Sequence, residues 1–87
     1  MSTRLHVNNL PLSATEETLA GKFGRFGTVL SVKPDRDSAT GISRRSAFIE
    51  MQTAADAQKA INALNFADLD GRLISVYRAL AAVPVNF

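Results

Sequence analysis

The sequence predicts an α+β fold in which two helices cover one face of a four-stranded antiparallel sheet. Three short segments alternate apolar and polar residues with a period of two, a fourth is rich in β-branched residues, and two others carry apolar residues at helical spacing behind a capping residue. Their order along the chain is strand, helix, strand, strand, helix, strand. A chain of 87 residues without cysteine has room for one two-layer core and no disulfide framework.

The first strand is Arg4-Leu5-His6-Val7-Asn8, with Leu5 and Val7 inward and Arg4, His6 and Asn8 outward. Pro11 ends it, because proline does not continue a ladder. Ser13 to Glu16 has capping-box spacing and Thr15 is a rival cap, with Glu16 and Glu17 placed to suit the first-turn dipole. Leu19, Phe23 and Phe26 form the apolar stripe of the first helix, and Gly27 is expected to stop it. Val29 to Lys33 is β-branched enough for a second strand, which Pro34 assigns to a sheet edge.

Thr40-Gly41 is the expected turn into the third strand, Arg44 to Met51. Its alternation sends Ala47, Ile49 and Met51 to the core and Arg44, Ser46, Phe48 and Glu50 to the other face. Thr53 caps the second helix, whose buried stripe is Ala57, Ala60, Ile61 and Leu64, and Asn65 closes it. After a polar turn from Asp68 to Gly71 the last strand runs from Leu73 to Tyr77, with Ile74 and Val76 inward and Leu73, Ser75 and Tyr77 outward. Residues 1–79 are thus expected to form the domain and residues 80–87 a C-terminal tail without clear period, either a loose end or a segment lying back on the domain.

This order is the split β-α-β, ferredoxin-like βαββαβ sandwich. One sheet face stays open, and the first and third strands lie in the middle, which puts His6 beside Phe48 on that face. A ring, a cation and a hydroxyl together suit a single-stranded nucleic acid; the same pattern is also what an edge strand with one apolar residue outside would show.

Composition narrows the class further. No apolar run approaches ~18 residues, so no membrane span and no membrane partner is expected. A single histidine and no cysteine leave no metal cluster, and no cofactor is expected. The absence of cysteine also fits a reducing, cytoplasmic setting. A net charge of +2 argues against gripping duplex DNA by bulk charge and leaves local basic clusters as the informative quantity.

The motifs in this order resemble the RNA recognition motif family from about Arg4 to Ala79. Leu5-His6-Val7-Asn8-Asn9-Leu10 is similar to the family's RNP hexamer and Arg44 to Met51 to its RNP octamer; Phe23-Gly24-Arg25-Phe26-Gly27 and Asp70-Gly71-Arg72 also fall where the family has similar residues. The chain is similar in size to small stand-alone bacterial members. The resemblance implies base stacking on the hexamer's second position and on the octamer's third and fifth. Here those are His6, Ser46 and Phe48, so one ring is replaced by a hydroxyl, and Arg45 stands where glycine is usual.

The expected function is therefore single-stranded RNA binding by a monomer with no catalysis. Bases stack on Phe48 and His6, while Asn8, Ser46 and Ser75 meet base edges or 2′-hydroxyls. Arg36, Arg44 and Arg45 hold phosphates, with Arg78 and Arg4 supplementing them. Lys33 flanks the platform, or only protects an edge strand. Tyr77 either adds a stacking ring or packs under the tail. The alternative is a protein-protein interaction domain of the same fold with weak or no RNA binding, favoured by the missing octamer ring and the apolar tail.

Overall fold

Alternation along the strands, interrupted at two places, gives a sheet with an apolar inner face and a mixed outer face. The computed structural model describes residues 2–36 and 39–79, with the backbone alone at 43 and 44. The elements are β1 (Thr3–Asn8), α1 (Glu16–Phe23), β2 (Val29–Arg36), β3 (Ser43–Met51), α2 (Ala54–Leu64), β4 (Asp68–Leu69), β5 (Arg72–Leu73) and β6 (Ser75–Arg78). β2, β3, β1 and β6 form an antiparallel sheet in that order, so β1 and β3 are central and β2 is an edge, as Pro34 required. Leu5, Val7, Ala47, Ile49, Met51, Ile74 and Val76 line the inner side, all at most 2% exposed. Leu19 and Phe23 of α1 and Ala57 and Ala60 of α2 close the core from the other layer, with Ile61 and Leu64 packed at its margin.

Both helices start where a hydroxyl can take an orphan amide. Thr15 accepts from the Thr18 amide and Thr53 from the Asp56 amide, each at 3.1 Å. Ser13, the other capping candidate, donates instead to Asp70 at 2.8 Å. α1 ends earlier than its apolar stripe suggests: Gly24 is the C-cap, and Phe26 reaches the core from the turn that follows, its amide bonded to the Phe23 carbonyl. Gly27 is needed for space, since a Cβ there would stand 2.3 Å from an Asp56 carboxylate oxygen. Asn65 caps α2 and its side chain also accepts from the Val76 amide at 3.0 Å, joining the helix to β6.

Two interruptions of the alternation matter for the open face. Val29 pairs with Met51 and Ser31 with Glu50, so Leu30 is an extra residue. That bulge lets Val29 and Val32, three apart, both pack on the core, while Leu30 is exposed. The second lies where Asp35 pairs with Ser46 but Arg36 pairs with Ser43, leaving Arg44 and Arg45 as extra residues in β3. Arg45 adopts φ 57°, in the left-handed region, and its carbonyl accepts from the Leu10 amide at 2.9 Å. The alternation from Ser46 to Met51 therefore does not extend back through Arg44, and the expectation that Arg44 shares the face of Phe48 has lost its basis; its side chain is outside the described residues.

A left-handed non-glycine residue costs about 1–2 kcal/mol. Arg45→Gly should accordingly raise the urea or thermal midpoint by the equivalent of about 1 kcal/mol, an unusual sign for a glycine placed in a strand. A lowered midpoint would mean that the contacts of the arginine outweigh the strain.

The last strand also differs from expectation. Leu73 belongs to a separate two-stranded hairpin, β4–β5, whose turn has positive φ at both Asp70 (50°) and Gly71 (88°), as a two-residue hairpin loop requires. Asp68 fixes the turn by accepting from the Gly71 amide at 2.8 Å. Asn9, itself at φ 63°, donates to the Leu73 carbonyl at 2.8 Å and accepts from Arg72, which ties the end of β1 to this hairpin.

Candidate nucleic-acid interface

Register places one residue from each strand in a single row across the open face. Tyr77 of β6 pairs with His6 of β1, His6 with Phe48 of β3, and Phe48 with Lys33 of β2. The His6 and Phe48 rings are stacked, with centroids 4.5 Å apart and planes 21° from parallel. Tyr77 meets His6 edge-on at 5.2 Å and 87°, the other geometry that the ring quadrupole favours. The Tyr77 hydroxyl joins His6 Nδ1 and accepts from Asn8 Nδ2 at 2.9 Å. Three polar groups, each contributed by an outward position, are thus mutually satisfied around one hydroxyl, while Tyr77 remains 46% exposed.

The adjacent row is charged. Glu50 pairs with Arg4 on β1 and with Ser31 on β2, and these three, with Phe48 and Lys33, line a depression of about 280 Å³. The Arg4 guanidinium stands over the Phe48 ring, 5.7 Å from its centroid, within cation–π range. Ring, two cations, carboxylate and hydroxyl therefore converge on one shallow concavity.

Several expected site residues lie elsewhere. Ser46 shares the parity of Phe48 but is only 7% exposed, and its hydroxyl donates to Asp35 at 3.3 Å instead of standing open to a ligand. Arg78 pairs with the core residue Leu5, so it points to the helix side, where Nη2 comes within 3.5 Å of the Ala54 carbonyl. Its parity with Val76 in the sequence already carried that signal. Arg36 likewise lies on the far side of the β2 edge, in a groove of about 520 Å³ with Leu12, Glu16, Glu17 and Pro34. Arg36 is thus not on the open face; among the described residues, Arg4 and Lys33 are the cations that line the depression beside Phe48. Ser75 pairs with Asn8 at the other end of the row. Sequence reasoning assigns Arg4 only a supporting part and Glu50 and Ser31 none, although Arg4 and Glu50 share the outward parity of His6 and Phe48.

The profile of the RNA recognition motif matches residues 5–75. The chain belongs to the RNA recognition motif family. RbpA of Nostoc sp. (strain PCC 7120 / SAG 25.82 / UTEX 2576) is 37% identical over 75 residues, which make up 86% of this chain and 74% of RbpA. The chloroplastic 29 kDa ribonucleoprotein of Arabidopsis thaliana is 38% identical over 81 residues, 93% of this chain. The chain spans 24% of that protein's length and 17% of that of the Arabidopsis RNA-binding protein BRN2. Among solved structures, RNA binding protein PG1 superposes with a TM-score of 0.86 at 34% identity, covering 93% of this chain and 98% of that one. The Sxl-lethal protein/RNA complex matches with a TM-score of 0.80 at 37% identity, over 88% of this chain and 47% of its own. The RNA recognition motif identity accounts for the split β-α-β order and for an aromatic pair on the two central strands.

Proposed function

We propose that this RNA recognition motif domain binds single-stranded RNA across its open sheet face, as a binding module without catalysis. The stacked His6–Phe48 pair on the two central strands is the observation that carries the reading. Stacked rings on a face that the described residues leave uncovered are a stacking surface for bases, with Arg4 and Lys33 as phosphate partners on either side. Asn8 and Ser75 offer hydrogen bonds at the β6 end, where Tyr77 adds a ring edge. The Sxl-lethal protein/RNA complex, similar in fold and 37% identical, supports RNA as the ligand. The bacterial RbpA and the lack of cysteine fit a cytoplasmic setting, and we take the domain to act as a monomer.

An amide NMR titration with a short randomised RNA tests this directly. Shifts centred on His6, Lys33, Phe48 and Tyr77 are expected. Leu12 and Leu30 are exposed beside grooves between α1 and β2, which favours a protein partner there as a second reading. An unperturbed sheet would leave that reading in place of RNA.

Salt dependence checks the relocated charges. Two phosphate contacts, at about −0.7 each for single strands, predict a slope of log affinity against log salt of roughly −1.4. Arg4→Ala or Lys33→Ala should each make it shallower by about 0.7, whereas Arg78→Ala should leave it unchanged.

A further inference from the structure

Among the described residues Glu50 is the one acidic side chain lining the depression beside Phe48, and nothing in the stacking scheme uses it. We infer that Glu50 makes this face select guanine for the base stacked on Phe48. The inference rests on the RNA-binding reading above and adds a base identity to it.

Phe48 and Glu50 are two apart on β3 and point to the same face, a separation of roughly 7 Å along the strand. A two-ring base that takes the place of the Arg4 guanidinium over the Phe48 ring can span that interval and bring one edge to the carboxylate. An ionised carboxylate accepts hydrogen bonds and donates none. Guanine presents two adjacent donors on its Watson–Crick edge, N1–H and the N2 amino group, which match the two oxygens of one carboxylate. Adenine and cytosine each place an acceptor nitrogen beside their amino group, and uracil sets its single N–H between two carbonyl oxygens. Each of these turns an acceptor toward the Glu50 oxygens, a repulsive contact that lowers affinity as surely as the guanine contact raises it.

The surroundings make a carboxylate tolerable beside RNA. Arg4 and Ser31 flank Glu50 in register on the two neighbouring strands, and Lys33 lies in the same depression. Two cations against one anion leave the patch net positive, so the phosphates on either side of the base are attracted although its edge meets a negative group. Glu50 is half-buried, which limits competition by water for its oxygens and strengthens whatever hydrogen bonds it accepts.

Fluorescence anisotropy with labelled uridine octamers carrying one central guanosine, adenosine, cytidine or inosine is the test. Inosine keeps the ring system and N1–H of guanosine and lacks the N2 amino group, so it separates edge recognition from stacking area. The guanosine octamer should bind the parent protein about 5- to 100-fold more tightly than the adenosine or cytidine octamers, with inosine between. Glu50→Gln keeps the size of the side chain and replaces one acceptor by a donor. It should bind the adenosine and cytidine octamers more tightly, through lost repulsion, and the guanosine octamer less tightly, so that the guanosine advantage shrinks by about fivefold or more. A parent protein that binds all octamers alike, or a Glu50→Gln protein that keeps the full guanosine advantage, overturns the role of Glu50 and leaves RNA binding standing. Failure of the parent to bind any octamer removes the RNA-binding reading itself, and the inference with it.

Discussion

Ile49→Ala should destabilise the domain by about 2–5 kcal/mol. Ile49 is fully buried at the centre of β3, paired with Leu5 on one side and Val32 on the other. No rearrangement of a strand held on both flanks can refill the lost volume, so the cavity persists beneath the helices. Total stabilities of small domains run from about 5 to 15 kcal/mol, so such a loss consumes a large part of the total. Urea or thermal denaturation followed by circular dichroism should show a markedly lower midpoint and, at the upper end of the range, a population already partly unfolded in buffer. A midpoint within about 0.5 kcal/mol of the parent would contradict the assignment of this position to the core.

One residue back, Phe48→Ala should separate binding from folding. The ring stands on the opposite face and lines no core cavity, so its removal should lower RNA affinity about 5- to 100-fold, the usual value of a base stacked on an aromatic. The effect on stability is not zero, because the ring is half-buried against His6 and an aromatic pair is worth about 0.5–1.5 kcal/mol. A midpoint drop of roughly 2–12 °C is therefore expected, with full folding retained. Binding measured by anisotropy on the folded protein decides the matter: parental affinity in Phe48→Ala would place the ligand somewhere other than this face.

The sequence made the layered architecture legible because the inner positions obey simple periods. Leu5, Val7, Ala47, Ile49, Met51, Ile74 and Val76 are all buried as alternation requires, and the pairing of His6 with Phe48 follows once β1 and β3 are central. What stayed illegible is local to places where a period is reset. Leu30 and the Arg44–Arg45 pair are extra residues in otherwise regular ladders, and neither the adjacent apolar Val29 and Leu30 nor the polar run from Ser43 to Ser46 says by itself which residue is the insert. At Arg45 the usual glycine, which would have signalled a positive φ, is absent, so the bulge was hidden by the very substitution that strains it. The β4–β5 hairpin is indistinguishable from a simple turn in the sequence because two-residue strands are too short to show alternation. Arg36 and Arg78 differ from expectation for another reason: charge groups them with the platform, but their parity, shared with Pro34 and Val76, sets them on the helix side.

The hydroxyl of Tyr77 bears on the thermodynamics of recognition. By bonding to His6 and Asn8 at once it joins the outer strand β6 to the central strand β1 through side chains as well as through the ladder. An imidazole held at its edge by Tyr77 and across its face by Phe48 has few torsional states left to lose when a ligand arrives. Much of the rotamer entropy of the binding surface is therefore lost during folding of the domain and not during association, which favours slow dissociation over adaptability. If RNA binds here as proposed, a ligand that needs the rings turned should be disfavoured, and rigidity should contribute to discrimination beside the groups that the face presents.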